Sequence, residues 1–231
     1  MKSQTHMTFS SFIEKNKHSV LMLYWLLYLP WFQHLEKTVT THFHVIHVAI
    51  DDYIPFCEYF IIPYFLWFAY VAWGIAYFYF KNKDEYFKLC AVLFTGMTIF
   101  LIVSTLYPNG HYLRPTTFEH NNIFVQMVKW LYATDTPTNL FPSIHVYNSI
   151  AVNMAVWHCD NFKNNRVVRY GSATLMVSII LATMFLKQHS VFDVVTGTVL
   201  AIFMYSVVYG TNWSRVSARE RSYSRRKLHE V

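Results

Sequence analysis

His189 and Asp193 stand four residues apart in Lys187-Gln188-His189-Ser190-Val191-Phe192-Asp193. On a helix that spacing places both side chains on one face, as near neighbours. A carboxylate beside an imidazole fixes its tautomer and stabilises its positive form. Such a histidine can serve as a base or as a nucleophile. A second histidine, His145, follows Pro142-Ser143-Ile144. Proline favours the start of a helix, where the first backbone N–H groups lack helical partners. Upstream lies Arg114-Pro115, and a guanidinium fork matches phosphate oxygens in pairs. Two imidazoles, one carboxylate, one fork and one helix N-terminus suit phosphoryl transfer. Each residue alone has a plainer reading. Arg114 fits a headgroup contact, His145 an interfacial histidine, and His189 with Asp193 a packing contact or an ion relay.

Other polar residues carry less. His111 and His120 read as loop residues. His42, His44 and His47 invite a zinc site but offer no convincing fourth ligand, so no metal is expected. Asp51 and Asp52 read as a charge pair of an outside loop. Cys57, Cys90 and Cys159 are scattered without CxxC spacing. They suit small apolar positions rather than a disulfide framework.

The elements that must position these groups are apolar. Of 231 residues, 54% are hydrophobic and 14% charged, where a soluble domain carries about 25% charged residues. That excludes an ordinary soluble globule, and it excludes disorder more firmly. Six nearly uncharged segments, 19–33, 56–80, 87–106, 144–159, 170–187 and 190–210, are expected to be membrane helices. Lipid leaves open backbone groups unsatisfied, so spanning segments must close their own hydrogen bonds. The alternating ten-residue strands of a barrel are not seen. The fourth segment is short for a membrane crossing. The first is not followed by a small-residue cleavage site, so it reads as a retained helix. Ile123 to Leu131 mixes apolar and polar residues and could lie flat on the membrane. Pro63 and Gly96 mark possible bends.

Charge then sets the orientation. Residues 1–18, the connections 81–88 and 160–169, and the tail from 211 hold 15 basic and 6 acidic side chains, +9. Everything else holds 4 basic and 7 acidic, −3, which restores the +6 of the chain. Lys and Arg mark cytoplasmic connections, so both ends are expected inside and the loops 34–55 and 107–143 outside. The expected divisions are a cytoplasmic segment 1–18, a six-helix domain 19–210 and a basic tail 211–231. The tail follows the last span directly. It reads as an anchor at anionic headgroups rather than as a nucleic-acid arm.

Arg114-Pro115, Pro142-Ser143-Ile144-His145 and His189-x3-Asp193, in this order and on one side of an all-α bundle, resemble the type 2 phosphatidic acid phosphatase (PAP2) superfamily. That family's pattern reads Lys-x6-Arg-Pro, Pro-Ser-Gly-His and Ser-Arg-x5-His-x3-Asp. The resemblance covers roughly residues 55–210. It implies that His189 is a nucleophile forming a phosphohistidine and that Asp193 orients it. It implies that His145 protonates the leaving oxygen and then activates the acceptor. Arg114 and Ser143 would hold phosphoryl oxygens, and no cofactor is implied.

All three blocks depart from the pattern, at four positions. Tyr107 stands where the lysine is expected, Ile144 replaces the glycine, and Ala182-Thr183 replace Ser-Arg. Two of three phosphate-binding cations are thus missing. Tyr107 could still donate a hydrogen bond, and Lys187 could replace one charge. The pattern is similar to the branch holding inositolphosphoryl- and phosphocholine-transferring sphingolipid synthases. The leading expectation is a membrane phosphatase acting on a lipid phosphate or diphosphate at the extracytoplasmic face. A phosphotransferase moving a phosphoryl headgroup to a lipid alcohol is the second reading, and a non-catalytic lipid transporter or binding protein the third. The expected partners are a phospholipid, isoprenoid phosphate or sphingolipid-like substrate, and the expected location is a bacterial inner membrane.

Overall fold

The computed structural model describes residues 17–211. Most of the expected cytoplasmic segment 1–18 and nearly all of the basic tail 211–231 lie outside the described residues.

The described fold is all-α apart from one two-residue strand pair. A 3-10 stretch, Lys17–Leu23, leads into α1 (Tyr24–Thr38). A long loop then reaches α2 (Ile61–Lys81), α3 (Lys83–Leu106), α4 (Ile123–Thr134), α5 (Ile144–His158), α6 (Arg166–Phe185) and α7 (Val191–Val208). All six apolar segments of the sequence therefore become helical. Short polar side chains start several of them. Asn82 accepts from Glu85 N–H, Asn122 from Val125 N–H and Asn165 from Val168 N–H. Each satisfies one of the four free donors at a helix start.

Four helices are long and apolar enough to cross a membrane: Glu58–Lys81, Lys83–Leu106, Arg166–Phe185 and Val191–Val208. Helices α1 and α5 have 15 residues each, or about 22 Å at 1.5 Å per residue. The outer surface agrees with a lipid surrounding. Leu26, Phe68, Phe80, Val199, Ile202 and Phe203 are each more than half exposed. In water an apolar surface this extensive would be an aggregation hazard.

Helix α5 is the axis of the bundle. It packs against α2, α3, α6 and α7, and Val146, Tyr147, Val152, Ala155 and Val156 are buried. A helix enclosed by four others meets little lipid, which fits the shortness of its apolar block. Two glycines set the spacing around it. A Cβ on Gly96 would lie 2.1 Å from the Tyr147 ring, and one on Gly197 would lie 2.8 Å from the Ser143 carbonyl oxygen. Gly96 therefore serves close packing of α3 on α5, where the sequence marked a possible bend. Pro63 sits in the first turn of α2, where its missing N–H has no helical partner to lose.

The two ends of the bundle are closed differently. At one end, the Tyr209 hydroxyl donates to Glu85, and Lys88 pairs with Glu85 at 2.7 Å. The Tyr86 hydroxyl donates to the His18 carbonyl at the same end. At the other end the long loops meet. Strand β1 (His44–Val45) pairs in parallel with β2 (Asn109–Gly110). The Asn109 side chain then accepts from Leu140 and Phe141 N–H, at 2.8 and 2.9 Å. This ties the loop after α1 and the loop after α3 to the approach to α5. Helix α4 lies beside that end, with Val125, Val128 and Leu131 buried and Ile123 and Trp130 exposed.

Candidate active site

His189 and Asp193 arise from the sharp connection between α6 and α7. The carbonyl of Thr183 receives both Gln188 N–H (2.9 Å) and His189 N–H (3.0 Å), which ends α6. Ser190 then caps α7. Its Oγ accepts from Phe192 N–H, while Asp193 Oδ2 accepts from Ser190 N–H at 3.0 Å. This reciprocal cap holds the carboxylate back toward the loop. It leaves Asp193 Oδ2 3.5 Å from His189 Nδ1. Asp193 Oδ1 and His189 Nδ1 are buried without a hydrogen-bond partner among the described residues. The two are apposed, at a distance that a small shift would turn into a hydrogen bond.

His145 meets His189 from α5. Its Nδ1 lies 3.3 Å from His189 Nε2. An Nδ1 proton on His189 facing Asp193 leaves its Nε2 lone pair toward His145. Tyr64 stacks on the His145 ring at 4.8 Å, and Trp67 lies across it at 4.3 Å. Ser143 caps α5, accepting from Val146 N–H, and its own N–H donates to the Asp193 carbonyl at 3.2 Å. The starts of α5 and α7 are thereby bonded directly, next to the close approach at Gly197. Burial first, and then the Arg114 charge, hold the His189 imidazole down at about 3. It is therefore neutral near pH 7, with a lone pair available.

Arg114 spans the site's rim. One Nη donates to the Asp135 carbonyl at 2.7 Å and to Tyr132 at 3.3 Å. The other donates to the Thr136 carbonyl at 3.2 Å and to Gln188 Oε1 at 2.5 Å. The guanidinium also lies 4.6 Å over the Tyr132 ring. Its Nε is buried and unpartnered among the described residues. Asp135 is close by, beside Tyr64. Burial, and then the Glu36 charge, push its carboxyl up to about 6. Glu36 reaches in from α1 and accepts from Thr136 Oγ1 at 2.6 Å and Asn139 Nδ2 at 3.0 Å.

The remaining two candidates stand elsewhere in the network. Tyr107 ends α3, is 44% exposed, and stacks on His44 at 4.2 Å. Lys187 donates from Nζ to the Asp51 carbonyl at 2.7 Å. Arg114, Ser143, His145, His189 and Asp193 thus form one connected group, while Tyr107 and Lys187 have these other partners.

Three residues of this group were not visible as such in the sequence. Asp51, in the 3-10 turn Ala49–Asp52, is 2% exposed and hydrogen-bonded to the start of α7, whereas the sequence suggested a loop charge pair. Its carboxylate accepts from Ser190 Oγ (2.6 Å), Val191 N–H (2.8 Å) and Val48 N–H (2.9 Å). Asp52 instead pairs with His47 at 2.8 Å. His111 is 1% exposed. It donates from Nε2 to the Gln188 carbonyl at 2.9 Å and accepts from Leu113 N–H at Nδ1. Burial holds its imidazole down at about 4. Gln188 is the third, held between Arg114 and His111. Among the described residues no three His, Cys, Asp or Glu side chains converge as a metal site would need.

Comparison with known proteins places a PAP2-superfamily domain over residues 113–217. The matched stretch contains Arg114, Ser143, His145, Lys187, His189 and Asp193, while Tyr107 and Asp51 precede it. Nothing in the match singles out the headgroup-transferring branch. Neither a curated protein nor a solved structure matches the chain.

Proposed function

We propose that the protein is a membrane phosphatase that hydrolyses a lipid phosphate or diphosphate through a phosphohistidine. The observation that carries this reading is the line Asp193–His189–His145, with contacts of 3.5 and 3.3 Å, inside the PAP2-superfamily stretch. His189 Nε2 attacks phosphorus while Asp193 steadies the Nδ1 proton. The bond from phosphorus to the lipid oxygen breaks, and His145 gives that oxygen a proton. His145 then takes a proton from water, whose oxygen attacks the phosphohistidine. The products are inorganic phosphate and the lipid alcohol, or the lipid monophosphate when the substrate is a diphosphate, and His189 is restored. Arg114 and the N–H groups at the start of α5 balance charge on the phosphoryl oxygens. Entry of the phosphoryl group requires the two imidazoles to part, because they touch at 3.3 Å.

Six spans complete this reading. Helix α1 is lengthened by the preceding 3-10 stretch Lys17–Leu23, and α5 crosses as a short helix sheathed by its neighbours. The charge segregation supports both chain ends at the cytoplasmic face of a bacterial inner membrane and the site at the opposite face. A lipid alcohol in place of water would make the same intermediate a phosphotransferase. Product analysis separates the two: free phosphate from vesicles of phosphatidic acid or isoprenoid diphosphate supports hydrolysis. A phosphoryl headgroup moved to diacylglycerol without phosphate release refutes it in favour of transfer.

A further inference from the structure

We propose that the Gln188 side-chain amide is a direct ligand of the phosphoryl group, filling the place of the arginine that the family pattern sets at Thr183. The proposal rests on the phosphoryl-transfer reading. Gln188 precedes His189 in the chain and is 1% exposed. Three of its four hydrogen-bonding groups are fixed. Its N–H donates to the Thr183 carbonyl at 2.9 Å, its carbonyl accepts from His111 Nε2 at 2.9 Å, and its Oε1 accepts from Arg114 at 2.5 Å. The fourth, Nε2, is buried and has no partner among the described residues. The amide cannot be turned over, because Nε2 would then face a guanidinium with donor against donor.

Arg114 Nε is orphaned as well. Two buried donors, on two side chains bonded to each other, therefore lack an acceptor. Buried donors are nearly always paired, and an anionic oxygen is the partner that both would accept. The position of Thr183 explains why the task falls to Gln188. The Thr183 hydroxyl turns back to the Ile180 carbonyl at 2.7 Å, so it offers nothing to a ligand. Its carbonyl, however, holds the backbone N–H of Gln188. The residue tethered to the lost arginine's own peptide thus supplies a neutral donor.

The test uses the full chain purified in detergent, inorganic phosphate as the binding probe, and phosphatidic acid turnover. Gln188→Glu keeps the shape and the oxygen that Arg114 needs, but replaces the orphan donor with an acceptor. The expected result is at least a tenfold weaker phosphate Kd and a matching rise in KM, with the melting temperature kept or raised. Gln188→Glu also sets a negative charge beside Arg114, so the deciding variant is Gln188→Met, of similar volume, which removes the donor without adding charge. It must show the same loss of phosphate affinity, and phosphate affinity at the wild-type value in that variant overturns the proposal. Wild-type protein that turns over lipid phosphate while folded Gln188→Met matches its Kd and KM sinks the Gln188 assignment alone. Wild-type protein that neither binds phosphate nor turns over lipid sinks the phosphoryl-transfer reading with it.

Discussion

Replacing Asp51 tests whether a distant loop holds the nucleophile in place. The carboxylate receives three hydrogen bonds, two of them from Ser190 and Val191 at the start of α7. Bonds to a charged acceptor contribute about 1.5–3 kcal/mol each. Asp51→Ala removes both links to α7 and leaves buried donors behind, so a loss of roughly 3–5 kcal/mol is expected. Asp51→Asn keeps an oxygen for Val191 N–H but must turn a donor toward Ser190 Oγ, and about 2 kcal/mol is expected. Melting in detergent micelles should show a drop of roughly 10 °C for the alanine variant. His189 and Asp193 flank the two bonded residues, and a displacement of about 1 Å at a reacting group costs on the order of 100-fold in rate. Turnover by the folded fraction should fall by about that factor. An alanine variant that melts within about 2 °C of wild type and keeps its turnover would refute the reasoning.

Other variants probe the same network. Arg114→Lys cannot reach four acceptors with one ammonium, so both stability and phosphate affinity should fall, by roughly 2 kcal/mol and at least tenfold. Binding titrations and melts read the two effects separately. Lys187 holds the Asp51 carbonyl, so Lys187→Met should lower the melting temperature while phosphate affinity stays within about threefold, a change under roughly 1 kcal/mol. Gly197→Ala places a methyl 2.8 Å from the Ser143 carbonyl. It should separate the starts of α5 and α7, costing about 1–3 kcal/mol and more activity than stability. For pH, His111 and His189 are held at about 4 and about 3, below the ordinary 6.5. The unfolded chain binds those protons first, so their stabilisation is complete above pH 6.5 and is lost as pH falls toward these values. Asp135, raised to about 6 from 3.8, acts oppositely, its contribution being lost as pH rises from about 4 to 6. His111→Gln should remove the share of the rise in melting temperature between about pH 4 and 6.5 that His111 contributes.

Much of the framework was legible because lipid imposes simple rules. Uncharged runs had to be helices, and polar residues inside them had to have a purpose. Thus the apolar blocks became α1, α2, α3, α5, α6 and α7, and the mixed stretch after Asn122 became the amphipathic α4. Arg114, Ser143, His145, His189 and Asp193 were singled out by type and spacing, and they meet at one end of the bundle. What stayed hidden depends on contacts between segments far apart in the chain. Asp51 looks like any loop acid until α7 is placed against it, 140 residues later. His111 looks like a loop histidine until the Gln188 carbonyl arrives above its Nε2. The β1–β2 pair joins two dipeptides, His44-Val45 and Asn109-Gly110, too short to leave a period in the sequence. Lys187 and Tyr107 were drawn toward phosphate by analogy of position. In the structure Lys187 donates to the Asp51 carbonyl and Tyr107 stacks on His44.

The central claim is that His189 carries the phosphoryl group. Purified protein in vesicles, supplied with lipid phosphate labelled at phosphorus, should acquire an acid-labile, base-stable protein-bound label during turnover. His189→Ala should insert and melt like a folded bundle yet show neither label nor turnover. Continued turnover by that variant, or a label that persists on it, would contradict the account.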